Sequence, residues 1–212
     1  MLSPLDKYIE EHSSSLPEAL GWIEHQTNVR TNYPQMLCGG QKGRLLKLLV
    51  EMTGAGDILE IGTFTGYSSV FLALGLPEHG HVDTIEINAE LEDLIREGWR
   101  RAGVSDKITL HIGDALDILG RERTLYDLVY IDANKREYSR YYDLVIDRLR
   151  PGGVIVVDDV LMGGKVLDLQ ENKDRQTLGL AEFNDKVRLD PRVEAVMLPL
   201  HDGLSIIRKK GS

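Results

Sequence analysis

The sequence predicts an α/β protein with one mostly parallel sheet and helices on both faces, and three observations lead to this prediction. The length of 212 residues suits one large α/β domain better than two small ones. From about residue 57 onward, short β-rich segments alternate with helical ones, as in parallel strands joined by crossover helices. These strands are almost continuously apolar, which is expected when both faces of a sheet are buried.

The first 56 residues have a helical pattern and are expected to form an N-terminal arm or cover. The helical segments read LDKYIEEH, LPEALGWIEHQ and GRLLKLLVEM, and the irregular stretch TNVRTNYPQMLCGG separates the last two. The remaining residues, 57–212, then form the sheet and its helices. No repeat or linker indicates a second unit, so residues 1–212 are interpreted as a single domain.

Strands and crossover helices alternate through the predicted core. The strands read DILEIG, HVDTIEI, KITLHIG, YDLVYID and GGVIVVDD, and the helices between them read YSSVFLALG, AELEDLIREGWRRAG, ALDILG and YYDLVIDRLR. Another helix is predicted near TLGLAEFNDKVRLD. The segments RVEAVMLPL and LSIIRKK then flank a short turn over 201–203, which predicts a C-terminal antiparallel hairpin and completes a seven-stranded sheet.

Composition excludes several classes of function. With 34 Asp and Glu against 25 Lys and Arg, the net charge is -9, so the chain lacks the basic surface that nucleic-acid binding needs. No run approaches the ~20 apolar residues that span a bilayer, and the N-terminal segment does not read as a signal peptide. We therefore expect a cytoplasmic protein that binds neither nucleic acid nor membrane. The single Cys38 excludes an internal disulfide and is expected to be a part-buried loop residue.

The turns that follow the strands are the candidate site, because open α/β sheets bind ligands beyond the carboxyl ends of their strands. In the first turn, LEIGTFTGYSS, Gly62 and Gly66 allow a ligand to approach the backbone closely. The dinucleotide-binding pattern would need glycines where this chain has Phe64 and Tyr67, and Glu60 would repel a pyrophosphate. A nicotinamide-dependent oxidoreductase is therefore disfavoured, and a cationic ligand is favoured.

Two further turns complete a nucleoside site without a phosphate cradle. The second strand ends on Glu86, at the distance downstream where an acid accepts hydrogen bonds from ribose hydroxyls. The third leads into HIGDALDIL, where Gly113, Asp114 and Ala115 would lie beside an adenine. S-adenosylmethionine has a nucleoside, a sulfonium and an amino acid tail but no phosphate, and it fits this description.

Three long segments carry a family resemblance. They are ILEIGTFTGYSSVFLALGLPEHGHVDTIEI, DLVYIDANKREYSRYYDLVIDRLRPGGVIVVDDVLMGG and the ending LPLHDGLSIIRKK. They resemble the cation-dependent O-methyltransferases, the bacterial relatives of caffeoyl-CoA and catechol O-methyltransferases. The resemblance extends from about residue 30 onward. It implies a Rossmann-like class I methyltransferase fold, methyl transfer from S-adenosylmethionine to a hydroxyl of a small catechol-type acceptor, and a homodimer.

The resemblance also implies roles for individual residues. Met36 would cover the methionine end of the cofactor, four residues would hold its amino acid part, Glu86 would accept from the ribose, and Ala115 would line the adenine. The implied cofactor-binding residues are Met36, Glu60, Gly62, Thr63, Ser68, Glu86, Asp114, Ala115 and Asp132.

Asp132, Asp158 and Asp159 stand where the family binds a divalent cation. They end two neighbouring strands, and three hard oxygen donors at one point suit Mg²⁺, Mn²⁺ or Ca²⁺. The cation would chelate two adjacent catechol oxygens, orient one hydroxyl toward the methyl group and lower its pKa. Lys135 matches the family's proposed base, so Lys135 and Asp132 are the expected catalytic residues.

Two positions depart from the family pattern. Asp159 stands where the family usually has Asn, and Asn134 stands where it usually has Asp. A third carboxylate should tighten metal binding and weaken the Lewis acidity of the cation. The tyrosines Tyr138, Tyr141 and Tyr142 lie at helical spacing and are expected to be packing residues, with Tyr138 the one of the three expected to face the substrate.

Several alternatives stay open at this point. The acids could have lost their metal, which would leave a metal-independent small-molecule methyltransferase. A nicotinamide-dependent oxidoreductase and a non-catalytic cofactor-binding module are the other classes. The acceptor could be a free catechol or a coenzyme A thioester, because the loops that hold acceptors cannot be interpreted from one sequence.

Overall fold

Seven strands form one sheet in the computed structural model, which describes residues 4–121 and 124–211. The strands are β1 (Asp57–Ile61), β2 (His81–Glu86), β3 (Ile108–Ile112), β4 (Tyr126–Ile131), β5 (Leu149–Asp158), β6 (Val193–Leu198) and β7 (Leu204–Lys209). Their order across the sheet is β3-β2-β1-β4-β5-β7-β6.

The five strands β1 to β5 pair in parallel, whereas β7 runs antiparallel between β5 and β6. This arrangement confirms the predicted mostly parallel sheet and its C-terminal hairpin. After β3 the chain crosses to the other side of β1 and continues into β4, so the strand order reverses between β1 and β4. A reversal of this kind opens a crevice at the carboxyl ends of the strands, where α/β proteins bind ligands.

Eight α-helices surround the sheet within the described ranges. They are α1 (Pro4–Glu11), α2 (Glu18–Arg30), α3 (Gly39–Thr53), α4 (Tyr67–Gly75), α5 (Glu92–Ala102), α6 (Ala115–Arg121), α7 (Tyr138–Ile146) and α8 (Arg175–Leu189). Helices α2 to α5 bury side chains against one face of the sheet, and α6 to α8 bury side chains against the other. None of the helices in these ranges has the length and apolar character needed to cross a membrane.

The N-terminal segment that the sequence predicted as an arm or cover contributes to the first of these two layers. Leu20 and Ile23 of α2 and Leu46 and Val50 of α3 are almost completely buried in it. Helix α1, in contrast, buries none of its eight residues. Helix α3 is therefore part of the packed body of the protein, and residues on its inner face can reach the sheet.

Backbone hydrogen bonds continue past the last strand residues and hold the turns of β1 and β4 side by side. The amide of Gly62 donates to the carbonyl oxygen of Ile85 at 3.0 Å, and the amide of Asp132 donates to that of Ile61 at 2.9 Å. The first residue of the turn after β1 is thus bonded to the end of β2, and the first residue of the turn after β4 is bonded to the end of β1. This places the polar residues of the two turns on one edge of the sheet.

Candidate active site

A cavity of about 430 Å³ opens at the carboxyl ends of the parallel strands. Its wall comes from the turns after β1 to β4, from Asp159 after β5 and from the segment before α3. Eight of the nine residues predicted to bind the cofactor line it. They are Met36, Gly62, Thr63, Ser68, Glu86, Asp114, Ala115 and Asp132.

Glu86 is held rigidly at the wall of the cavity. Its Oε2 accepts a hydrogen bond of 2.7 Å from the amide of Phe64, and its Oε1 accepts one of 2.8 Å from the amide of Asn88. Burial raises the pKa of Glu86 although these backbone bonds favour the charged form. The carboxylate is fixed by the protein and keeps acceptor capacity for a ribose diol.

Glu60, the ninth predicted cofactor residue, lies behind the cavity wall and is fully buried. Its carboxylate accepts hydrogen bonds from the hydroxyls of Ser68 and Thr84, each at 2.6 Å, and from that of Ser69. Burial raises its pKa to about 7, against the effect of the three hydroxyl donors. In the structure Glu60 therefore orients Ser68, which does line the cavity, and does not itself face the cofactor space.

The cavity wall also contains two residues to which the sequence analysis gave no role in the site. Tyr141 and Glu137 line it together, and the Tyr141 hydroxyl donates to Oε2 of Glu137 at 2.9 Å. The prediction that Tyr138 faces the substrate is wrong, because Tyr138 is completely buried and its hydroxyl donates to the carbonyl oxygen of Asp158 at 3.1 Å. The two tyrosines lie three residues apart on α7, and the helical pattern alone does not show which of them faces the cavity.

The three predicted metal ligands do not have equal access to the cavity. Asp132 and Asp159 line it, whereas Asp158 is fully buried behind them. Oδ2 of Asp158 accepts from Nζ of Lys42 at 2.6 Å and from the hydroxyl of Tyr130 at 3.0 Å. Its Oδ1 accepts from the amide of Asp159 at 2.8 Å. Both oxygens of the buried acid thus have protein partners.

Two lysines alternate with the three acids in one row. Nζ of Lys42 lies 2.6 Å from Asp158 and 3.5 Å from Oδ1 of Asp159, and Nζ of Lys135 lies 3.2 Å from Oδ2 of Asp159 and 2.8 Å from Oδ1 of Asp132. We call these five residues the charge row. Three carboxylates against two ammoniums leave it with one net negative charge.

The charge row sets the pKa values of its members. Burial and the nearby Asp132 raise the pKa of Asp158, against the effect of Lys42. Burial also works against the charge of Asp159, but Lys135 and Lys42 hold its pKa below the usual range. Although burial disfavours the charge of Lys135, its neighbours, the acids among them, raise its pKa, so Lys135 is an ammonium in this structure.

The carboxylate oxygens of Asp132, Asp158 and Asp159 are the kind of ligand that a hard cation binds. In the described part of the chain, no group of three or more His, Cys, Asp or Glu side chains is arranged to hold a metal ion, and lysines pair with the carboxylates of Asp132, Asp158 and Asp159. Asp132 and Asp159 nevertheless present carboxylate oxygens to the cavity, and carboxylates are the ligands that Mg²⁺ and Ca²⁺ prefer. Cation binding at this point would require the acids to exchange ammonium partners for the metal.

Lys42 is the most important residue that the sequence interpretation missed. It lies on α3 four residues before Leu46 and eight before Val50, and all three are buried. A lysine at this spacing on an apolar stripe is a signal that its charge has a buried partner, since unpaired buried charges are costly. The stripe does not identify that partner.

The fold and the site together define a class I S-adenosylmethionine-dependent methyltransferase. The sheet order with its antiparallel β7, the turn after β1 and the acid at the end of β2 are the features that determine this class.

The chain belongs to the O-methyltransferase family, since a family profile of that description matches residues 10–210. It is 33% identical over 208 residues to the probable caffeoyl-CoA O-methyltransferase 1 of Dictyostelium discoideum, with 95% of this chain and 90% of that protein covered. The O-methyltransferase TomG of Streptomyces achromogenes, solved with S-adenosylmethionine, is 31% identical at a TM-score of 0.91, covering 98% of this chain and 96% of that one. An O-methyltransferase of Bacillus cereus, solved with S-adenosylhomocysteine, is 30% identical at a TM-score of 0.91, covering 98% of both chains.

Proposed function

We propose that this O-methyltransferase transfers the methyl group of S-adenosylmethionine to a hydroxyl of a small catechol-type acceptor with the help of a divalent cation. One observation carries the proposal. The cavity joins the end predicted to bind a nucleoside, with Glu86 and Asp114, to an end where Asp132, Lys135 and Asp159 present two carboxylates and one ammonium. The similarity to proteins named caffeoyl-CoA O-methyltransferase, which extends over most of the chain, supports an acceptor with adjacent hydroxyls.

Asp132 and Asp159 would hold Mg²⁺, Mn²⁺ or Ca²⁺ from the cavity side, with Asp158 behind them. A bound cation would supply a Lewis acid that lowers the pKa of one catechol hydroxyl and orients the two oxygens. Asp132 fixes Lys135 through the 2.8 Å ion pair. While it pairs with Asp132 and Asp159, Lys135 is an ammonium, and in this form it would donate a hydrogen bond to the acceptor oxygen and stabilise its negative charge. To act as the base that the resemblance implies, it would first have to lose this proton.

A second candidate function is favoured by the charge row. Because two ammoniums already engage the three carboxylates, a metal-independent methyltransferase could use Lys135 alone to stabilise the acceptor anion. In that case the row would be a structural and electrostatic device and no cation would be required.

The test combines binding and activity. Calorimetric titration with S-adenosylhomocysteine should give tight binding with and without Mg²⁺, and titration with NAD should give none. Methylation of a catechol should stop after exhaustive chelation and return with added Mg²⁺ or Mn²⁺. Activity that is unchanged after chelation would contradict the cation part of the proposal and favour the metal-independent alternative, and tight NAD binding would contradict the enzyme class.

The acceptor class needs its own comparison. Free catechols and catechol-bearing coenzyme A thioesters should be assayed side by side at matched concentrations, with S-adenosylhomocysteine formation as the readout. The homodimer and the cytoplasmic location stay predictions, and light scattering on the purified protein tests the first of them.

A further inference from the structure

Lys42 is a buried lysine whose position is fixed by the fold. Helix α3 carries it on the stripe that packs against the core, and its side chain is only 7% exposed. Its ammonium lies 2.6 Å from Asp158 and 3.5 Å from Asp159. A side chain enclosed in this way cannot move into solvent to vacate the acids, as an exposed lysine could.

The oxygens that Lys42 engages belong to two of the three proposed metal ligands. Oδ2 of Asp158 also accepts from Tyr130, and Oδ1 of Asp159 has Lys42 as its ion-pair partner in the structure. A divalent cation would have to take these carboxylates from the ammonium or share them with it. Two cations a few ångströms apart in a buried site repel each other strongly, because screening is weak there.

Lys42 affects the net charge of the site when a cation and a catechol are bound. Three carboxylates and a dication would carry one net negative charge, and a catechol anion would be repelled. Lys42 and Lys135 add two positive charges, so the loaded site would carry one net positive charge and become neutral when the catechol monoanion enters. The cost of this balance is a lower affinity for the dication.

We propose that Lys42 is a positioning residue that occupies Asp158 and Asp159 when no metal is bound and lowers the affinity of the site for divalent cations. The inference rests on the proposed function, because it takes these two acids as metal ligands. It concerns the strength of metal binding, which can be measured without any acceptor.

Three variants separate this role from a general effect of charge. Lys42→Met removes the ammonium, and Lys42→Gln removes the charge but keeps a hydrogen-bond donor for Asp158. Lys47→Met is the matched control, because Lys47 lies on the same helix and pairs with Glu51 at the surface. Free Mn²⁺ is measured by electron paramagnetic resonance during titration of each protein in saturating S-adenosylhomocysteine.

Both Lys42 variants should bind Mn²⁺ at least about 10-fold more tightly than the parent, since removing a buried like charge a few ångströms away is worth more than this factor. Lys47→Met should stay within about 2-fold of the parent, because exposed charges at a distance are screened. Mn²⁺ should also raise the melting temperature more in the Lys42 variants than in the parent, by linkage. A lysine that only supports the fold would leave the Mn²⁺-induced shift unchanged.

Unchanged or weaker Mn²⁺ binding in the folded Lys42 variants overturns the proposal. If both variants unfold without metal, recovery of the fold in Mn²⁺ supports it and failure to recover overturns it. A parent that binds no Mn²⁺ beside a Lys42→Met variant that does supports the inference while contradicting the cation part of the proposed function. Mn²⁺-dependent methylation by the parent, with equal Mn²⁺ affinities in all variants, would overturn the inference about Lys42 and support the cation part of the proposed function. Absence of Mn²⁺ binding in every protein would contradict the inference and the cation part of the proposed function alike.

Discussion

The backbone amide of Phe64 donates a hydrogen bond of 2.7 Å to Oε2 of Glu86 and so ties the turn after β1 to the end of β2. Phe64 has a φ of +49°, a left-handed conformation that is unfavourable for a bulky residue. The carboxylate stabilises this turn while it lines the cavity. Glu86 thus has a structural role in the loop in addition to the predicted contact with the ribose.

Replacement of Glu86 should therefore weaken cofactor binding strongly. Glu86→Ala loses one or two charge-assisted hydrogen bonds, each worth roughly 1.5–3 kcal/mol, and should raise the Kd for S-adenosylhomocysteine at least ~10-fold. Mn²⁺ affinity should hardly change. Calorimetric titration measures both, with Glu90→Ala as a control at an exposed acid of the next turn. Equal cofactor affinity in the Glu86 variant and the parent would show that this acid does not contact the cofactor.

Sequence alone located the acids at the strand ends but could not show how Glu60 and Glu86 differ. Both end apolar strands, and both were assigned to the cofactor. In the register of the sheet, Glu60 is paired with Thr84 of β2, so it meets a hydroxyl from the neighbouring strand, while Glu86 reaches the cavity. The register depends on how neighbouring strands and turns fit together, so the residue pattern of one strand does not show which residue it will meet.

For the same reason, the sequence predicted only part of the charge row. The two turns that carry Asp132 and Asp159 are recognisable because an apolar run ends on acid, and this local pattern was sufficient to predict them. Lys42 and Asp158 are 116 positions apart, and their 2.6 Å contact depends on how α3 packs against the sheet. The burial of this lysine could be inferred from its helical stripe, but its partner could not.

Gly62 is the position where the site is least tolerant of a side chain. Its φ is +98°, and a Cβ there would collide with the carbonyl oxygen of Asp132. Gly62→Ala should therefore lower the free energy of unfolding by more than ~3 kcal/mol or prevent folding. Gly54→Ala is the control, since Gly54 has a φ of +66° but open space around it, and should cost about 1–2 kcal/mol. Chemical denaturation compares the two, and equal losses would contradict the close approach of these turns.

Glu60 should make stability depend on pH. Its pKa is about 7 in the folded protein because of burial, against a usual value of 4.5. An acid whose pKa is raised by folding binds its proton more tightly in the native state, so its contribution to stability is complete below pH 4.5 and is lost as pH rises to about 7.

The parent should therefore lose up to ~3 kcal/mol of stability relative to Glu60→Gln between pH 4.5 and pH 8. Denaturation curves of both proteins at several pH values measure this difference in the free energy of unfolding. The other titrating groups are the same in both proteins, so their contributions cancel. Glu90→Gln, at an exposed position, should keep the pH dependence of the parent. A constant difference between the parent and Glu60→Gln would show that Glu60 does not titrate in this range.

The family resemblance implies an Asn where this chain has Asp159, and the backbone at this position suits Asn. Its φ is +55°, a left-handed conformation that Asn tolerates well, so Asp159→Asn should fold normally. The substitution removes the carboxylate that lies between Lys135 at 3.2 Å and Lys42 at 3.5 Å. Two ammoniums would then share the two remaining acids, and the site would lose one charge that attracts a dication.

Two effects on catalysis follow from this change of charge. The cation should bind more weakly, because hard-cation affinity rises with the charge of the ligands, so half-maximal activity should need more Mg²⁺ or Mn²⁺. A bound cation would be a stronger Lewis acid with fewer anionic ligands, so kcat at saturating metal should equal or exceed that of the parent. Initial rates on one catechol against metal concentration, for both proteins and both metals, test this. If Asp159→Asn binds metal more tightly, or stays far slower at saturation, then Asp159 is not a ligand or acts in a way that its charge alone does not describe, such as accepting the proton of the acceptor.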